Sequence, residues 1–573
     1  MAEINFIVGG EAGQGVQTIG FTLAKTLSRE SLYVFADQDY ESRVRGGHNF
    51  YRVRAADKEV LALSEGIDIL IAIDQNTIAL HQAEVEKGGV IIFDPDKVKI
   101  PESKINSLAI PLEKLAEEKA ENKLMANSVA VGGAIAVGGF EFELLSHVLK
   151  EHFAHLGNDV AEANVRAAAS GYDYVRQNKP DTIRKRVKPG NSAQVMLLNG
   201  NEAIALGAMV AGCKFMAAYP MTPASTIMEY VADKGRKFNI VMLQPEDEIA
   251  AINMAVGAGF AGVRAMTATS GDGFALITEG IGLAGITETP VVIVIAQRPG
   301  PAVGLPTRTE QSELKFAING GPGEFPRLVL APCTIGDCFS ATVKAFNLAE
   351  KYQIPVIIMT DHHLASSYQT VPRFDLTSVT IDRGQLISEE EAAKLAEYKR
   401  HQFTESGISS RLIPMRGKAL VVTDSDEHDE AGHMIEDAQI RTRMMLKRLK
   451  KVDGIKSELE APRVLQKPNA SITLVGWGST YGAINEAARI LEKAGLAVNT
   501  LMLHEVWPFP IQAVTGAISK TGKSIAIENN ATGQLAQLIR EQTGIKVSGN
   551  ILKFDGRPFS PDYIAEEVKK GVT

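Results

Sequence analysis

Cysteine is scarce in this 573-residue chain, and its arrangement excludes some kinds of protein. The three cysteines are Cys213, Cys333 and Cys338, and none of them forms a Cys-x-x-Cys motif. An odd, scattered set of cysteines is typical of proteins from a reducing compartment. A self-contained iron–sulfur cluster usually takes four thiolates, so this chain lacks the ligands for one.

Long apolar runs and an excess of positive charge are also lacking. No run approaches the roughly 20 apolar residues of a membrane-spanning helix. The N-terminus has neither the basic flank nor the small-residue cleavage site of a secretory signal. The formal net charge of -8 argues against nucleic acid or an anionic membrane as the main partner. We therefore expect a cytoplasmic protein.

The composition that remains is that of a large globular protein, with 45% hydrophobic and 22% charged residues. Apolar runs of strand length alternate with helical patterns, which predicts several parallel-sheet α/β domains. We divide the chain into a first domain (1–178), a basic linker (179–192), a central domain (193–382), a connecting region (383–460) and a last domain (461–573).

In the first domain, the apolar run Ile4–Val8 leads into a glycine-rich loop that precedes a helical pattern. Such a loop can bring backbone amides to an anion at the helix N-terminus, and Gly13, Gln14 and Gly15 are the candidate residues. A tight turn without a ligand gives the same pattern. The order of the glycines differs from the dinucleotide fingerprint, which argues against an NAD-linked enzyme.

A second loop in the first domain carries Arg43 and Arg45 beside Gly46 and Gly47. Two arginines close to paired glycines can hold a phosphate group through bidentate hydrogen bonds. A solvated hairpin has the same composition, so the residues alone leave both interpretations open.

In the central domain, three features follow the ends of predicted strands. Tyr219–Pro223 is a turn stiffened by two prolines, Gln244–Glu248 follows the next strand, and Thr269–Gly273 follows a third. Ligands of open α/β sheets bind beyond the carboxyl ends of the strands, so the three features together predict a site. For the turn, an ordinary strand-to-helix connection with Thr222 as a cap is the alternative.

Several motifs in order resemble a known family. Those similar to the α subunit of 2-oxoacid:ferredoxin oxidoreductases are Tyr219–Pro223, Gln244–Glu248, Thr269–Gly273 and Gln297–Thr307. Gly10–Val16 with Val44–Gly47 resembles the γ subunit of that family, and the last domain resembles the transketolase C-terminal domain. The chain therefore resembles a γ–α fusion. Its architecture and the Gly300–Thr307 segment are most similar to 2-oxoglutarate enzymes, while pyruvate and branched-chain 2-oxoacids remain alternatives.

The resemblance implies thiamine diphosphate as the cofactor and coenzyme A as a co-substrate. The aminopyrimidine ring of the cofactor needs a carboxyl group, and the resemblance assigns this role to Glu246, as a buried acid in an apolar cleft. Burial would keep a proton available on such a group. The Gly13–Gly15 loop, with Arg43 and Arg45, would hold the coenzyme A phosphates.

The resemblance also implies which residues meet the 2-oxoacid. Thr222 would face its carboxylate or carbonyl, and Arg298 would pair with the carboxylate. Tyr219 and Thr307 would border the same substrate. Arg308 is a candidate for binding a second carboxylate, although it could equally be a surface charge.

The diphosphate half of such a site is missing from this chain. Gly271–Gly273 looks like the start of a thiamine diphosphate–magnesium motif, but the paired asparagines that close it are absent from this domain. The resemblance therefore implies a β subunit that carries the diphosphate, magnesium and iron–sulfur sites, with ferredoxin as the electron acceptor. A non-catalytic subunit that keeps these motifs only as an interface is the alternative.

Two features of the connecting region remain open. Thr423–His433 contains His428 and His433 among carboxylates, but their spacing matches no trusted metal-ligand pattern. Arg441–Lys451 predicts a basic amphipathic helix, for which docking to a membrane or an acidic partner and a solvated face are the alternatives.

The cysteine content makes a direct prediction about the isolated chain. Expressed and purified without any partner, it should show no visible absorption from iron–sulfur clusters, because it cannot supply four thiolates at one site. Absorption spectroscopy and iron analysis measure this. A full complement of clusters in the isolated chain would contradict the prediction.

Overall fold

A computed structural model describes residues 1–42, 46–100, 105–182, 187–188 and 195–572. The strands are β1 (Glu3–Ala12), β2 (Tyr33–Asp39), β3 (Gly46–Ala56), β4 (Ile67–Ala72), β5 (Val85–Phe93), β6 (Asn106–Ala109), β7 (Val195–Asn199), β8 (Phe215–Ala217), β9 (Val241–Leu243), β10 (Ala265–Thr269), β11 (Val291–Gln297), β12 (Leu328–Leu330), β13 (Pro355–Asp361), β14 (Tyr368–Pro372), β15 (Arg463–Leu465), β16 (Ile472–Trp477), β17 (Val498–Leu503), β18 (Glu505–Trp507), β19 (Lys523–Glu528) and β20 (Gly549–Leu552).

The α-helices are α1 (Val16–Arg29), α2 (Gln75–His81), α3 (Leu112–Ala120), α4 (Ala126–Val137), α5 (Phe142–Phe153), α6 (Asn158–Asn178), α7 (Gly200–Val210), α8 (Ser225–Lys234), α9 (Glu248–Phe260), α10 (Gly271–Ile286), α11 (Leu314–Asn319), α12 (Ile335–Tyr352), α13 (His362–Ser366), α14 (Glu389–Lys394), α15 (Ala438–Glu458), α16 (Thr480–Lys493), α17 (Ile511–Ile518), α18 (Gln534–Thr543) and α19 (Pro561–Val572). None of the helices in the described ranges has both the length and the apolar character of a membrane-crossing segment.

The chain forms two compact units. The first contains residues 1–198, 366–373 and 560–573, and the second contains residues 199–365 and 374–559. The predicted five-part division of the chain is finer than this and stays a prediction. Part of the predicted linker at 179–192 lies outside the described residues.

The first unit is built on an eight-stranded sheet with the order β6-β5-β4-β1-β3-β2-β14-β7. β1, β4, β5 and β6 pair in parallel, whereas β3 is antiparallel to both β1 and β2. Buried apolar side chains of the sheet and of α1, α4, α5 and α6 form its core.

The strand, glycine loop, helix and strand at the N-terminus predict a parallel beginning, and β1 and β2 do run in the same direction. β3 is antiparallel to β2 because residues 40–45, which join the two strands, are too few for the crossover that a parallel neighbour needs, and β3 also pairs with β1 on its other side. The first sheet is therefore mixed rather than parallel. The predicted α/β class is confirmed.

The second unit contains two largely parallel sheets. In the seven-stranded sheet, β18-β12-β13-β11-β10-β8-β9, only the β12–β18 pair is antiparallel. In the five-stranded sheet, β15-β17-β16-β19-β20, only the β15–β17 pair is antiparallel. β18 comes from the predicted last domain but completes the sheet of the central domain.

A buried ionic cluster holds the connecting region in place. The carboxylate of Glu288, which follows α10, lies 2.6 Å from the Lys447 ammonium, 2.5 Å from the Lys451 ammonium and 2.8 Å from His401 Nδ1. Burial opposes its ionisation, but the two ammonium groups hold the pKa of Glu288 well below its ordinary value. Because buried charges are costly unless paired, this cluster fixes α15 to the central domain.

The basic helix predicted at 441–451 is thus part of α15, and its centre is not a docking surface. Lys447 and Lys451 are buried against Glu288, and Arg448 is buried in a bidentate contact with Glu427 at 2.7 and 3.0 Å. For these three residues, the predictions of a membrane-facing, partner-facing or solvated position are all wrong.

The two histidines of the 423–433 loop are separated by their burial. His428 is fully buried, with its ring centroid 3.9 Å from that of His401. His433 is exposed. The two side chains therefore lie in different environments. His428 packs inside the connecting region, whereas His433 faces solvent.

Candidate active site

The site is built at one edge of the seven-stranded sheet. The strands β9, β8, β10 and β11 are consecutive neighbours and run in parallel, so their carboxyl ends lie at the same edge. The segments that follow them are the Tyr219–Pro223 turn, Gln244–Glu248, the start of α10 and Arg298. Ligands of such sheets bind at this edge.

The Tyr219–Pro223 turn is held by hydrogen bonds from two other segments of the chain. Its Thr222–Pro223 peptide bond is cis. Buried Asn201 of α7 donates from Nδ2 to the Pro223 carbonyl at 2.7 Å, and Arg298 Nη1 donates to the Thr222 carbonyl at 2.8 Å. Tyr219 remains 38% exposed. The turn is therefore a rigid element that presents a partly open aromatic ring.

The buried acid at this edge is Glu248, not Glu246. Glu246 is exposed, Asp247 caps α9 by accepting from the Ala250 N–H at 2.8 Å, and Glu248 is only 4% exposed. The buried residues of α9 recur from Glu248 at helical spacing, so Glu248 belongs to the inward face of the helix. The prediction that Glu246 is buried in a cleft is therefore wrong.

Glu248 lies in surroundings that favour a protonated carboxyl group. Burial, followed by the nearby carboxylates of Asp247 and Asp272, raises its pKa, while Arg298 opposes this shift. Its Oε1 is enclosed and has no hydrogen-bond partner among the described residues. An enclosed polar atom without a partner is costly, so a group from outside the chain would be stabilised there.

Arg298 joins the turn to the start of α10. Its Nη1 donates to the Thr222 carbonyl and its Nη2 lies 2.7 Å from Asp272 Oδ2. The arginine side chain is 7% exposed, and its enclosed Nε has no hydrogen-bond partner within the described ranges. Two of its three nitrogens are thus used within the protein. The predicted pairing with a substrate carboxylate stays a prediction.

Glu313, just before α11, is a residue of this site that the motifs do not indicate. Its Oε1 accepts from Ser312 Oγ at 3.1 Å, whereas its Oε2 is enclosed and has no partner in the part of the chain that the structure describes. Its backbone N–H donates to Gln297 Oε1 at 3.1 Å. Burial, together with the negative charges of Glu310 and Asp272, raises the pKa of Glu313 to about 8.

Two glycines on either side of Asp272 give both glutamates their room. A Cβ at Gly273 would lie 2.8 Å from Glu248 Oε1, and a Cβ at Gly271 would lie 2.7 Å from Glu313 Oε1. Both distances are far inside van der Waals contact. The Gly-Asp-Gly sequence therefore gathers three carboxyl groups at the start of α10.

The loop that carries Thr307 and Arg308 is ordered by the last domain. Thr307 is buried, and Arg308 is half-buried with its Nη1 3.2 Å from the Thr307 carbonyl. The Thr309 N–H donates to the Gly556 carbonyl at 3.2 Å, and fully buried Gln311 donates from Nε2 to the Trp477 carbonyl at 3.0 Å and from its backbone N–H to the Asn529 carbonyl at 2.7 Å. The last domain thus positions candidate substrate residues.

The predicted glycine-rich loop, Gly13–Gly15, belongs to the first unit. Gly13 and Gly15 have left-handed backbone conformations, with φ of 91° and 78°. Gly15 precedes α1, and no side chain among the described residues caps that helix. The Gln14 side chain accepts a hydrogen bond within the loop. An uncapped helix start suits an anion, while Arg43 and Arg45 lie outside the described residues.

An apolar surface adjoins the buried acid. It consists of Val241 and Leu243 on the edge strand β9, Ile249 and Met254 on α9, and Leu276 on α10, which are between 37% and 58% exposed. Apolar side chains of both helices lie on exposed as well as buried positions. Exposed apolar patches beside an open sheet edge are typical of protein interfaces. We call this the α9–α10 surface.

One group of possible metal ligands lies elsewhere in the described part of the second unit. Single ligand atoms of Glu460, His504 and Glu505 lie within 4.8 Å of one another. The Lys344 ammonium already lies 2.5 Å from Glu505 and 3.3 Å from Glu460. Because a cation is in place between these carboxylates, we assign no metal to them.

Family models cover most of the chain in three pieces. Residues 5–174 match "Pyruvate ferredoxin/flavodoxin oxidoreductase", residues 206–447 match "Pyruvate flavodoxin/ferredoxin oxidoreductase, thiamine diP-bdg", and residues 463–567 match "Transketolase, C-terminal domain".

Relatives along the full length agree with these matches. The 2-oxoacid:ferredoxin oxidoreductase subunit alpha of Sulfolobus sp is 33% identical over 99% of this chain and 96% of that protein. The 2-oxoglutarate oxidoreductase subunit KorA of Mycobacterium tuberculosis is 28% identical over 98% of this chain and 90% of its own.

A solved structure, 2-oxoglutarate:ferredoxin oxidoreductase from Magnetococcus marinus with 2-oxoglutarate, coenzyme A and succinyl-CoA bound, is 31% identical, covers 100% of both chains and has a TM-score of 0.92. The chain therefore belongs to the thiamine diphosphate-dependent 2-oxoacid:ferredoxin oxidoreductases. Within that family it is an alpha subunit with a γ-type first domain, as the motifs predict.

The close approach at Gly273 gives a test of the site geometry. A Cβ there would also lie 1.9 Å from Thr269 Oγ1, so Gly273→Ala should displace the Glu248 side chain and cost about 1–3 kcal/mol of stability. Chemical denaturation of the purified chain measures the loss. Gly516→Ala in α17, where a Cβ meets nothing within 4 Å, is the matched control and should be neutral or stabilising. Equal effects of the two substitutions would contradict the described packing.

Proposed function

We propose that this subunit, together with a β subunit, oxidatively decarboxylates 2-oxoglutarate in the presence of coenzyme A. The products would be succinyl-CoA and CO2, with two electrons passed to ferredoxin, or the reaction would run in reverse. The ligands of the Magnetococcus marinus structure and the names of the KorA relatives support this substrate. Three buried free cysteines suit a reducing compartment, so we place the enzyme in the cytoplasm.

The observation that carries the proposal is the buried Glu248 carboxyl group with its unpartnered Oε1. It suits the aminopyrimidine ring of thiamine diphosphate, because a desolvated carboxyl group can share a proton with a ring nitrogen. When bound, the cofactor supplies the nucleophilic carbon and the electron sink for decarboxylation. We assign to Glu248 the role that the motif comparison first gave to Glu246.

The other residues at the same edge would bind and orient the 2-oxoacid. Thr222 and Tyr219 belong to the rigid turn, and Thr307 and Arg308 belong to the loop held by the last domain. We propose that Arg308 pairs with a carboxylate of the substrate. Arg298 would act differently, by holding the turn through the Thr222 carbonyl.

The α9–α10 surface would receive the β subunit. The support for this is an exposed apolar surface beside a buried carboxyl group whose Oε1 has no partner among the described residues, as half of a site shared between chains would present. The diphosphate, the magnesium ion and the iron–sulfur cluster would then lie on the β subunit, which also passes electrons to ferredoxin. This chain would contribute the pyrimidine half.

Coenzyme A would bind through its phosphates at the γ-type domain. The uncapped start of α1, with Gly13, Gln14 and Gly15, offers backbone N–H groups to an anion. Arg43 and Arg45 follow in the same domain and would add positive charge.

The choice between the two glutamates is testable in the complex reconstituted with the β subunit. Glu248→Gln should lower kcat by about 100-fold or more, because the amide cannot exchange a proton with the cofactor ring. Glu246→Gln is the matched control and should leave turnover close to that of the wild type. Steady-state reduction of ferredoxin measures both. If both variants turn over normally, a non-catalytic, partner-binding role replaces the proposal.

Substrate identity is tested with 2-oxoglutarate, pyruvate and branched-chain 2-oxoacids. We expect the highest kcat/KM with 2-oxoglutarate, and Arg308→Ala should raise its KM by about 10- to 100-fold through the loss of a charged hydrogen bond. Pyruvate in the same variant is the internal control and should be affected less, because it lacks the second carboxylate. A preference for pyruvate in the wild type would overturn the assignment of 2-oxoglutarate.

A further inference from the structure

The start of α10 has more acidic groups than cations to neutralise them. Asp272 is bonded to Arg298, and the side chains of Glu248 and Glu313 lie in the niches left by the glycines on either side of it. In the described part of the chain, Glu313 forms no ion pair. Of these three carboxyl groups, Asp272 is thus the one that pairs with the Arg298 guanidinium in the described part of the chain.

Hydrogen bonds from two domains fix the position of Glu313. Its backbone is held by Gln297, the residue directly before Arg298, and Gln297 in turn donates from Nε2 to the Thr360 carbonyl at 3.0 Å. Gln534 of α18 donates to the Ser312 carbonyl at 2.6 Å and fixes the same loop from the other side. The carboxyl group is therefore brought against Gly271 by contacts from two domains.

We propose that Glu313 is a positioning residue whose uncharged carboxyl group fills the enclosed space beside Asp272, so that Asp272 stays the one ionised partner of Arg298. Through Arg298, this arrangement holds the Thr222 carbonyl and the Tyr219–Pro223 turn. The inference rests on the proposed active site, to which it adds a residue that does not touch the substrate.

The charges around Glu313 support an uncharged state. Asp272 faces it from α10, and Glu310 approaches from its own loop, so both neighbours repel a negative charge. Beyond them, Lys315 of α11 lies 3.6 Å from Glu541 of α18 and is thus engaged elsewhere. An enclosed carboxylate with no cation and an unpartnered oxygen is strongly disfavoured, whereas the acid form carries no net charge.

The consequence is a dependence on pH. The folded-state pKa of Glu313 is about 8, against an ordinary value of 4.5. Between these values the folded chain binds more protons than the unfolded chain, so this group makes the fold less stable as pH rises through that window. Above the window, an ionised Glu313 would repel the Asp272 carboxylate, weaken its contact with Arg298 and loosen the turn.

The first test uses the purified chain alone. Glu313→Gln keeps the shape of the acid form but cannot ionise, so its melting temperature should fall less steeply than that of the wild type between pH 4.5 and about 8. Glu324→Gln, at an exposed position, is the matched control and should keep the wild-type slope. An unchanged slope in Glu313→Gln would overturn the proposal. If this variant does not fold, infrared spectroscopy of the wild type should show a carboxylic-acid carbonyl band that disappears near pH 8, and its absence would equally overturn it.

The second test uses the complex with the β subunit. We expect the kcat of the wild type to decline above pH 8, and the kcat of Glu313→Gln should decline less over the same range, without a matching change in KM. A changed stability slope with an unchanged alkaline decline would overturn the link from Glu313 to Arg298. If the wild-type complex shows no turnover with any 2-oxoacid, the proposed function fails, while the stability test still decides the charge of Glu313.

Discussion

The close packing of two glutamates against a single helix start determines the chemistry at this edge of the sheet. Gly271 and Gly273 have no side chains, so Glu313 and Glu248 approach the backbone on either side of Asp272. Among the described residues, Arg298 pairs with Asp272, and neither glutamate forms an ion pair. The space beside the two glycines thus lets three carboxyl groups come close together, and their mutual repulsion disfavours the ionisation of all three.

Arg298 transmits this arrangement to the substrate side. Its guanidinium bonds both the carboxylate at the start of α10 and a carbonyl in the proline-rich turn, so a change in charge at Asp272 reaches a backbone atom on the neighbouring loop. The loop around Gln311 is fixed in turn by the last domain. The edge of the sheet is therefore held by contacts between neighbouring loops and with the last domain.

Local patterns in the sequence account for much of the fold but only part of the site. Apolar runs predict β8, β10 and β11, and the prolines predict the turn after β8. Helical spacing, extended backwards from the buried face of α9, would have selected Glu248, whereas the motif alone suggested Glu246. Glu313 had no local signal, because Gly271 and Gln297 meet it only through the fold. The mixed first sheet and the buried charges of α15 likewise depend on partners distant in the chain.

The strand β14 has a consequence for how the polypeptide is made. β14 (Tyr368–Pro372) pairs antiparallel with β2 in the sheet of the γ-type unit. It is synthesised long after the first six strands of that sheet. On the ribosome, the N-terminal unit would wait with an open sheet edge while the thiamine diphosphate-binding segment emerges. Each unit is thus built from segments that are separated in the sequence by segments of the other unit. Cleavage of a single peptide bond could therefore not separate the two units as intact chains.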